Sequence, residues 1–522
     1  MIKNFITRYT HDIYSSEKGE KYSTLLRYFI PEFITNFLLY AMPFWLDAAF
    51  IGSLASTHTY ATLGVTNSFL HLIIKVGEAI SVGTVVLSGQ FNGQHSFENA
   101  GRTLRDAFWL TTILGLIFGS VLFFGAHTIY TWYGVSEEII ALGVPFLRLR
   151  AVGVLCMFIY LALVGFLRGI KNSRAPMKMF IFGSLLFVFF DYALIFGKFG
   201  FPALGLQGSA LATVIQYCSM MVIALGYVLF NKKNLKYSIN LFSGLTDISY
   251  VKHLLSISWP VVLDKSIMAW AYVWLGKMIA TMGTDGIAAF CVVKDMERFA
   301  FLPAIAFAQI ITFLASNDVG IKNWDGVKVN IKKTMVLAIA MVSTLLGFFI
   351  YYRAYIINIF DKKGDFSGIA MQAFPVLSVF IIFDLIQLIL SGALRGAGNV
   401  QIVMAVRFVT CFAYFVPVSY ALSQWQIQND ALKLILLYGS FYLGNALMSI
   451  WYIKRFRSEL WKTKSFSSTN SNPEKSPQKE HELPSNIKPA AQLIFKENEH
   501  HTSSKTIHSA QSKNDDKSEL NQ

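Results

Sequence analysis

The chain has 522 residues, of which 54% are hydrophobic, 15% aromatic and 15% charged, and its formal net charge is +14. Ordinary soluble domains carry about 25% charged residues, so this chain lacks the polar groups that would cover a water-facing surface. The basic residues lie in short loops and form no basic arm, which excludes a nucleic-acid partner. The composition predicts a membrane protein.

Long apolar runs recur along the chain, for example Leu110–Phe124, Val152–Phe166 and Met335–Tyr351. Many of these runs reach the roughly 20 residues that a helix needs to cross the hydrocarbon core. They do not alternate with a period of two, as the strands of a membrane barrel do. The predicted fold is all-α integral membrane, with transmembrane spans at 28–53, 61–86, 103–126, 144–168, 175–198, 203–230, 251–282, 286–315, 333–356, 371–395, 399–423 and 431–454.

The loops between these spans differ sharply in charge. Lys171, Lys232 and Lys454 belong to basic loops or tails, whereas the loops at 53–60 and 127–143 contain no Lys or Arg. Basic residues stay on the cytoplasmic side of a membrane. The pattern therefore predicts twelve spans with both termini in the cytoplasm. Because nothing in the sequence marks an organelle, the expected location is a bacterial inner (plasma) membrane.

The two halves of the chain repeat. The sequence 165–169, Gly-Phe-Leu-Arg-Gly, recurs at 392–396 as Gly-Ala-Leu-Arg-Gly, and Gly93 recurs as Gly320 at the same offset of about 227 residues. Six spans per half give both halves one orientation, so we expect two six-helix lobes related by a pseudo-two-fold axis, with a cavity between them. The expected divisions are 1–27 (cytoplasmic segment), 28–230 (N-lobe), 231–250 (inter-lobe loop), 251–455 (C-lobe) and 456–522 (disordered cytoplasmic tail).

Three isolated carboxylates fall inside predicted spans: Asp47 in the first, Asp191 in the fifth and Asp384 in the tenth. An ionisable group at the centre of a spanning helix costs about 3 kcal/mol, so it is retained when it pairs or functions. One interpretation is a carboxylate that alternately binds and releases H⁺ or Na⁺. The alternative is a carboxylate hydrogen-bonded within the bundle, where it fixes the packing.

Other intramembrane charges occur in groups. Lys75 and Glu78 lie three residues apart on one helical face, as do Lys294 and Glu297, so each pair is expected to neutralise itself. Asp264 and Lys265 are adjacent, point in different directions and need partners elsewhere. Arg168 and Arg395 are expected to reach the cytoplasmic lipid phosphates. The residues predicted to form a substrate site or charge network are Lys75, Glu78, Asp264, Lys265, Lys294, Glu297 and Trp45, whose ring could face a flat cation or lipid.

The four cysteines, Cys156, Cys218, Cys291 and Cys411, all fall in apolar segments without CxxC spacing. This placement is typical of small buried side chains and does not indicate a disulfide or a metal site. No catalytic metal motif or nucleophile motif accompanies them, and no cofactor is expected.

Several strings appear in a characteristic order and resemble the MATE family, the multidrug and toxic compound extrusion transporters. They are 46–52 (LDAAFIG), 87–90 (LSGQ), 166–169 (FLRG), 176–177 (PM), 191–197 (DYALIFG), 205–213 (GLQGSALAT), 384–387 (DLIQ) and 392–396 (GALRG). The resemblance covers about residues 31–452. It implies twelve helices in two lobes that export cationic or amphipathic compounds in exchange for H⁺ or Na⁺, without enzymatic activity.

The resemblance also implies roles for particular residues. Asp47 is similar to the family's first-helix aspartate of cation coupling, Asp191 to its fifth-helix partner and Thr213 to the nearby hydroxyl. Asp384, with Gln387 one turn later, is similar to the tenth-helix aspartate of the Na⁺-coupled branch. Na⁺ is therefore a candidate ligand at Asp47 and Asp191 or at Asp384, although no metal site is firm.

Two departures from the family pattern leave the coupling ion, H⁺ or Na⁺, undecided. Phe187 stands where many members carry an Asn one turn before the fifth-helix aspartate, and Met268 stands where the Na⁺-coupled branch has an acid in the seventh helix. The sequence thus has parts of both patterns, with a slight preference for H⁺.

The expected partners are the lipid bilayer and small organic cations or amphipathic substrates, and the protein is expected to be a monomer. One alternative is a flippase for lipid-linked oligosaccharides of the same two-lobed plan, which the lysines in spans two, seven and eight favour. The other is a membrane-embedded enzyme that modifies lipids. Against that enzyme, the sequence has no HExxH, no GxSxG and no paired intramembrane histidines.

Overall fold

A computed structural model describes residues 19–40, 50, 57–243, 248–361 and 364–464. Helices dominate this part of the chain, and twelve of them are long. In chain order they are α1 (Tyr22–Tyr40), α2 (Thr57–Gly93), α3 (Phe97–Tyr133), α4 (Glu137–Gly169), α5 (Arg174–Phe196), α6 (Leu206–Phe230), α7 (Ile248–Ile279), α8 (Gly283–Gly320), α9 (Trp324–Tyr351), α10 (Ser367–Gly396), α11 (Val400–Gln424) and α12 (Asp430–Arg457). Short helices at Lys232–Tyr237, Arg353–Phe360 and Leu460–Lys464 lie between or after them.

Ten helical stretches of the described residues are long and apolar enough to cross a membrane, and one of them, Tyr250–Gly320, contains both α7 and α8. The prediction of an all-α membrane protein is confirmed. Several helices extend past the predicted spans. α2 continues to Gly93 and α8 to Gly320, where the predicted spans end at 86 and 315. Their last turns pack on each other, so tertiary contact, rather than hydropathy, sets where these helices end.

Each half of the chain forms a bundle around its fourth helix. In the first half α4 packs against α2, α3 and α6, and in the second half α10 packs against α8, α9 and α12. The pairs α2–α4 and α4–α6 thus recur six helices later as α8–α10 and α10–α12. This recurrence fits the predicted pair of pseudo-symmetric six-helix lobes. The predicted residue limits of the lobes stay predictions, and the tail from residue 465 onward lies outside the described residues.

The repeat extends to the backbone of the turns. His95 after α2 and Lys322 after α8 both have a φ of 58°, and they are separated by the same offset as the sequence repeat. Lys171 after α4 has a φ of 60°, and its counterpart after α10, Gly398, has a φ of 77°. A positive φ is uncommon for residues other than glycine. Its recurrence at matched positions shows that the two halves end these helices with the same turn.

The two lobes meet closely at the ends of α2 and α8. A Cβ atom on Gly93 would collide with the backbone of Asn317, and one on Gly320 would collide with the backbone of Gln90. α1 also packs on α8, and α2 packs on α7. Small residues allow this backbone approach between membrane helices. The lobes are therefore closed at the end that carries Gly93 and Gly320.

α11 contains an irregular stretch. The segment Thr410–Phe415 is wound as a π-helix between two α-helical parts. Such π segments shift the register of the side chains that follow them and are frequent at functional sites. Here the segment lines a cavity inside the C-lobe.

Candidate functional site

A three-residue ion cluster joins the two lobes. Glu78 on α2 accepts from the Nζ of Lys75, one turn earlier, at 3.1 Å. It also accepts from the Nζ of Lys265, on α7 of the other lobe. The predicted pairing of Lys75 with Glu78 is confirmed, and the expected distant partner of Lys265 is this same carboxylate. Two lysines therefore share one acid.

Asp264, adjacent to Lys265, turns the other way, into the C-lobe. Its Oδ2 accepts from Arg395 Nη2 at 2.7 Å, and its Oδ1 accepts from Arg407 Nε on α11. The carboxylate is buried and held by two guanidinium groups. The prediction that Arg395 reaches the cytoplasmic lipid phosphates is therefore wrong. Its charge is satisfied inside the bundle because Asp264 lies opposite it on α7.

The N-lobe has an equivalent ion pair. Glu32 on α1, with a side chain 1% exposed, accepts from Arg168 Nε at 3.1 Å and from Arg168 Nη2 at 2.8 Å. The prediction that Arg168 contacts lipid phosphates is therefore also wrong. Sequence reasoning missed Glu32, which directly follows Pro31 in the first helix of its lobe; Asp264 lies one turn after Pro260 in the first helix of the other lobe. In both lobes an acid from the first helix neutralises the arginine of the repeated Leu-Arg-Gly string.

Two other carboxylates in the C-lobe have neutral partners. Asp384 on α10 accepts from Asn445 Nδ2 at 3.0 Å, and Glu297 on α8 accepts from Tyr442 Oη at 2.6 Å. Both acids are buried. Within the described residues, neither has a basic nitrogen within 4.0 Å. They therefore differ from Glu32, Glu78 and Asp264.

The predicted pairing of Lys294 with Glu297 is wrong. The Nζ of Lys294 lies 5.3 Å from the centre of the Phe290 ring, while Glu297 points toward α12. Hydrogen-bond donors on α12 attract the carboxylate to the other side of α8. Gln387, one turn after Asp384 on α10, is fully buried.

A small cavity lies beside Asn445, the partner of Asp384. Its lining is mostly apolar, and Met268 occupies part of it, at the position where the Na⁺-coupled branch is expected to have an acid. Arg407 contributes the charge in this lining. The complete lining is Ile267, Met268, Ala271, Arg407, Thr410, Cys411, Phe415, Phe441, Gly444, Asn445 and Met448.

The described residues include two members of the N-lobe part of the predicted site, Thr213 and Asp191, whose coupling role stays a prediction. Thr213 accepts from Arg150 Nη1 on α4 at 3.0 Å and donates to the carbonyl of Ser209 at 3.0 Å. Asp191 on α5 is fully buried. Asp47 and Trp45 lie outside the described residues. Arg150 was missed by sequence reasoning, because its position near the start of the predicted fourth span did not distinguish it from an arginine at the membrane surface.

Comparison with known proteins decides the family. The MatE family model matches residues 31–193 and 260–421, which is more than half of the chain and one match in each lobe. The chain belongs to the MatE family. Among the relatives of this MATE transporter, the "Probable multidrug resistance protein NorM" of Thermotoga maritima is 24% identical over 73% of this chain and 81% of the relative. The protein of the same name from Bacillus cereus is 23% identical over 80% of this chain and 93% of the relative.

Solved structures share the MATE fold. A MATE crystal structure in a bent conformation has a TM-score of 0.75 at 19% identity and covers 83% of this chain and 95% of its own. An outward-facing multidrug resistance MATE transporter has a TM-score of 0.75 at 20% identity, covering 83% and 96%. A Pyrococcus furiosus transporter of the MOP superfamily, described as having reverse polarity of its binding pocket, has a TM-score of 0.75 at 19% identity, covering 84% and 95%. These matches confirm the twelve-helix, two-lobed fold.

The described ranges contain no group of three or more His, Cys, Asp or Glu side chains that could hold a metal ion. Backbone and amide oxygens also bind Na⁺, so Na⁺ beside Asp384 stays a prediction.

Proposed function

We propose that this protein is a cation-coupled antiporter that exports small amphipathic molecules by alternating access. One observation carries the proposal: Asp384 and Glu297 are buried carboxylates with neutral hydrogen-bond donors and no ion-pair partner within the described residues. A buried carboxylate that is not paired directly with a cation is costly to keep charged, so such a group favours binding a proton or a metal cation. Glu32, Glu78 and Asp264 already have cationic partners and are not available for this role.

In the C-lobe, Asn445 connects the proposed coupling carboxylate to the cavity. Asn445 contacts Asp384 and also lines the C-lobe cavity, so occupation of the carboxylate by a cation can alter the cavity wall through this amide. Asp47, Asp191 and Thr213 are the predicted N-lobe counterpart. One elementary charge moving through about 150 mV supplies roughly 3.5 kcal/mol. That energy sustains about a 300-fold gradient of an uncharged substrate.

Alternating access requires the lobes to separate at the end where they touch. The contacts of Gly93 and Gly320 close that end, which the charge of the loops assigns to the cytoplasm. With that end closed, substrate would be released on the outer side. The names of the NorM relatives, which refer to multidrug resistance, support an export function.

Transport in proteoliposomes tests the proposal. Efflux of ethidium, an organic cation, and of carboxyfluorescein, an organic anion, is measured under a clamped pH gradient or a clamped Na⁺ gradient. Asp384→Asn and Glu297→Gln should each abolish gradient-driven transport and leave the protein monodisperse. Asp430→Asn, which alters an exposed acid at the start of α12, is the matched control and should transport normally. Unchanged driven transport in Asp384→Asn would remove the C-lobe from the coupling mechanism.

A second candidate function is a flippase for lipid-linked oligosaccharides. The specific observation in its favour is the pair Lys75 and Lys265 beside a single carboxylate between the lobes. In this fold a reverse polarity of the pocket is known from the Pyrococcus furiosus relative. Transbilayer movement of a lipid-linked oligosaccharide without any ion gradient would favour this candidate over the antiporter.

A further inference from the structure

Basic side chains from both lobes converge above the closed end of the bundle. Lys75 on α2 and Lys265 on α7 flank Glu78. His71, one turn before Lys75, lies within electrostatic reach of Arg150 on α4 and Arg298 on α8. We refer to Lys75, Arg150, Lys265 and Arg298 as the cation cluster.

The cation cluster is incompletely neutralised. Glu78 is the one carboxylate within 4.0 Å of Lys75 and Lys265 in the described residues. Arg150 bonds to the neutral hydroxyl of Thr213. Among the described residues, Asp295 is the other acid in electrostatic reach, near Arg298. Four basic side chains therefore face two carboxylates in the described part of the chain, and a net positive charge remains among them.

The other acids of this region do not remove the excess. Asp264 turns away from Lys265 to Arg395 and Arg407, and its charge is used inside the C-lobe. Glu297 points to Tyr442 on α12. An uncompensated positive charge at membrane depth is costly and is retained where it functions.

The cation cluster is also accessible. The side chains of Lys75 and Lys265 are each 26% exposed, and Arg298 is exposed. Leu72, next to His71 on α2, is 58% exposed, so apolar surface adjoins the charges. Because Lys265 and Arg298 belong to one lobe and Lys75 and Arg150 to the other, separation of the lobes would disperse the cluster. Such a site has different affinities in the two conformations, as transport requires.

We propose that the cation cluster binds the anionic group, a phosphate or carboxylate, of an amphipathic substrate, whose apolar part lies along the adjoining α2 surface. This inference rests on the proposed transport function and assigns it a substrate charge opposite to that of organic cations. Lysine and arginine bind such oxyanions through charge-assisted hydrogen bonds. An organic cation would meet repulsion at the same place.

The cluster could instead only fix α7 against α2, and the sign of a mutational effect separates the two roles. Glu78→Gln removes the inter-lobe ion pair with Lys265, as Lys265→Gln does, but it increases the positive charge. For a purely structural role, Glu78→Gln and Lys265→Gln should lower the thermal stability of the protein alike. For an anion site, they should change affinity in opposite directions.

The test measures binding and transport on the full chain in lipid nanodiscs and proteoliposomes. The probes are NBD-labelled lysophosphatidic acid, the uncharged NBD-labelled monoacylglycerol, soluble carboxyfluorescein and ethidium. Lys75→Gln and Lys265→Gln should each weaken lysophosphatidic acid binding about tenfold. Lys75→Arg should bind like the parent, Glu78→Gln should bind more tightly, and the exposed Lys198→Gln is the matched control.

The outcomes separate this inference from the proposed antiport. Saturable binding of lysophosphatidic acid with these opposite shifts supports the anion site, and competition by carboxyfluorescein shows that anions from water share it with anionic lipid. If the anion binds in this way but no ion gradient drives any probe, the antiport proposal fails and the anion site stands. If a gradient drives ethidium while the phosphate and its uncharged analogue bind equally, the antiport stands and the anion site is refuted.

Discussion

The Nδ2 of Asn317, on α8, donates a hydrogen bond of 2.8 Å to the carbonyl oxygen of Gly169, the last residue of α4. This bond connects the C-lobe to the N-lobe at the end of the repeated Leu-Arg-Gly string. Asn92 adds a second connection, from its Nδ2 to the Oδ1 of Asn317 at 2.7 Å. Asn317 therefore bridges both lobes at the end where the proposed alternating access would require them to separate.

We expect Gly93→Val to push the lobes apart at this end. The new Cβ would collide with the backbone of Asn317, which cannot move aside without moving α8. Spin labels at Glu98 and Lys322 should report a longer inter-lobe distance by double electron–electron resonance. Gly226→Val, whose Cβ would meet no heavy atom within 4 Å, is the control and should leave the distance unchanged. An unchanged distance in Gly93→Val would mean that the contact does not hold the lobes together.

Breaking the ion pair of Glu32 with Arg168 should destabilise the N-lobe. Arg168→Gln leaves a carboxylate that is 1% exposed without its bidentate partner, and removal of one member of a buried pair costs about 3 kcal/mol. The thermal midpoint in detergent should fall, and adding Glu32→Gln should restore part of it. The exposed pair of Arg102 with Glu98 is the comparison, where Arg102→Gln should cost less than about 1 kcal/mol. Equal losses of stability from Arg168→Gln and Arg102→Gln would contradict the burial of the Glu32–Arg168 pair.

Mild oxidation should link α4 to α6. The Sγ atoms of Cys156 and Cys218 lie 2.8 Å apart, although the sequence indicated four independent buried thiols. After oxidation with copper phenanthroline, mass spectrometry should detect peptides that an intramolecular Cys156–Cys218 disulfide links. Cys291, which is exposed, should instead react with a soluble maleimide. Persistence of both free thiols at 156 and 218 after oxidation would contradict the packing of α4 on α6.

Acid should loosen the start of α10. Burial raises the pKa of Asp361, but the backbone N–H groups of Phe366, Gly364, Ser367 and Asp365 donate to its carboxylate and hold the pKa below its usual range. A depressed pKa gives stability that is present above the unfolded-state value of about 3.9 and is lost as the pH falls through the folded-state value.

Asp361→Ala should therefore lower the thermal midpoint at pH 7 and make it less sensitive to acid. Hydrogen exchange of the amides at 364–367 provides the local readout and should accelerate in the variant. Asp365→Ala is the control for general effects of charge, because it removes a neighbouring acid and keeps the backbone N–H that donates to Asp361. Equal exchange rates in Asp361→Ala and the parent would show that these four donors do not depend on the carboxylate.

The sequence by itself determined the membrane class, the number of spans and the internal repeat. These features depend on run length, loop charge and matched landmarks such as Gly93 and Gly320, all of which are visible in the sequence without knowledge of tertiary contacts. It also predicted the Lys75–Glu78 pair, since both residues lie on one helical face. Only the tertiary structure decided which other charges meet. Arg168 pairs with Glu32 across a separation of 136 residues in the sequence, and Arg407 pairs with Asp264 across 143 residues.

The physical reason is that the partner of a charge on a packed helix is set by helix rotation and neighbour choice, which hydropathy does not encode. Hydropathy places Asp264, Glu297 and Asp384 inside predicted spans and does not distinguish the cost of burying them. Among the described residues, packing pairs Asp264 directly with two guanidinium groups, whereas the hydrogen-bond donors that reach Glu297 and Asp384 are a phenol and an amide. That difference in partners, rather than the presence of the acids, separates a structural charge from one that can carry a cation.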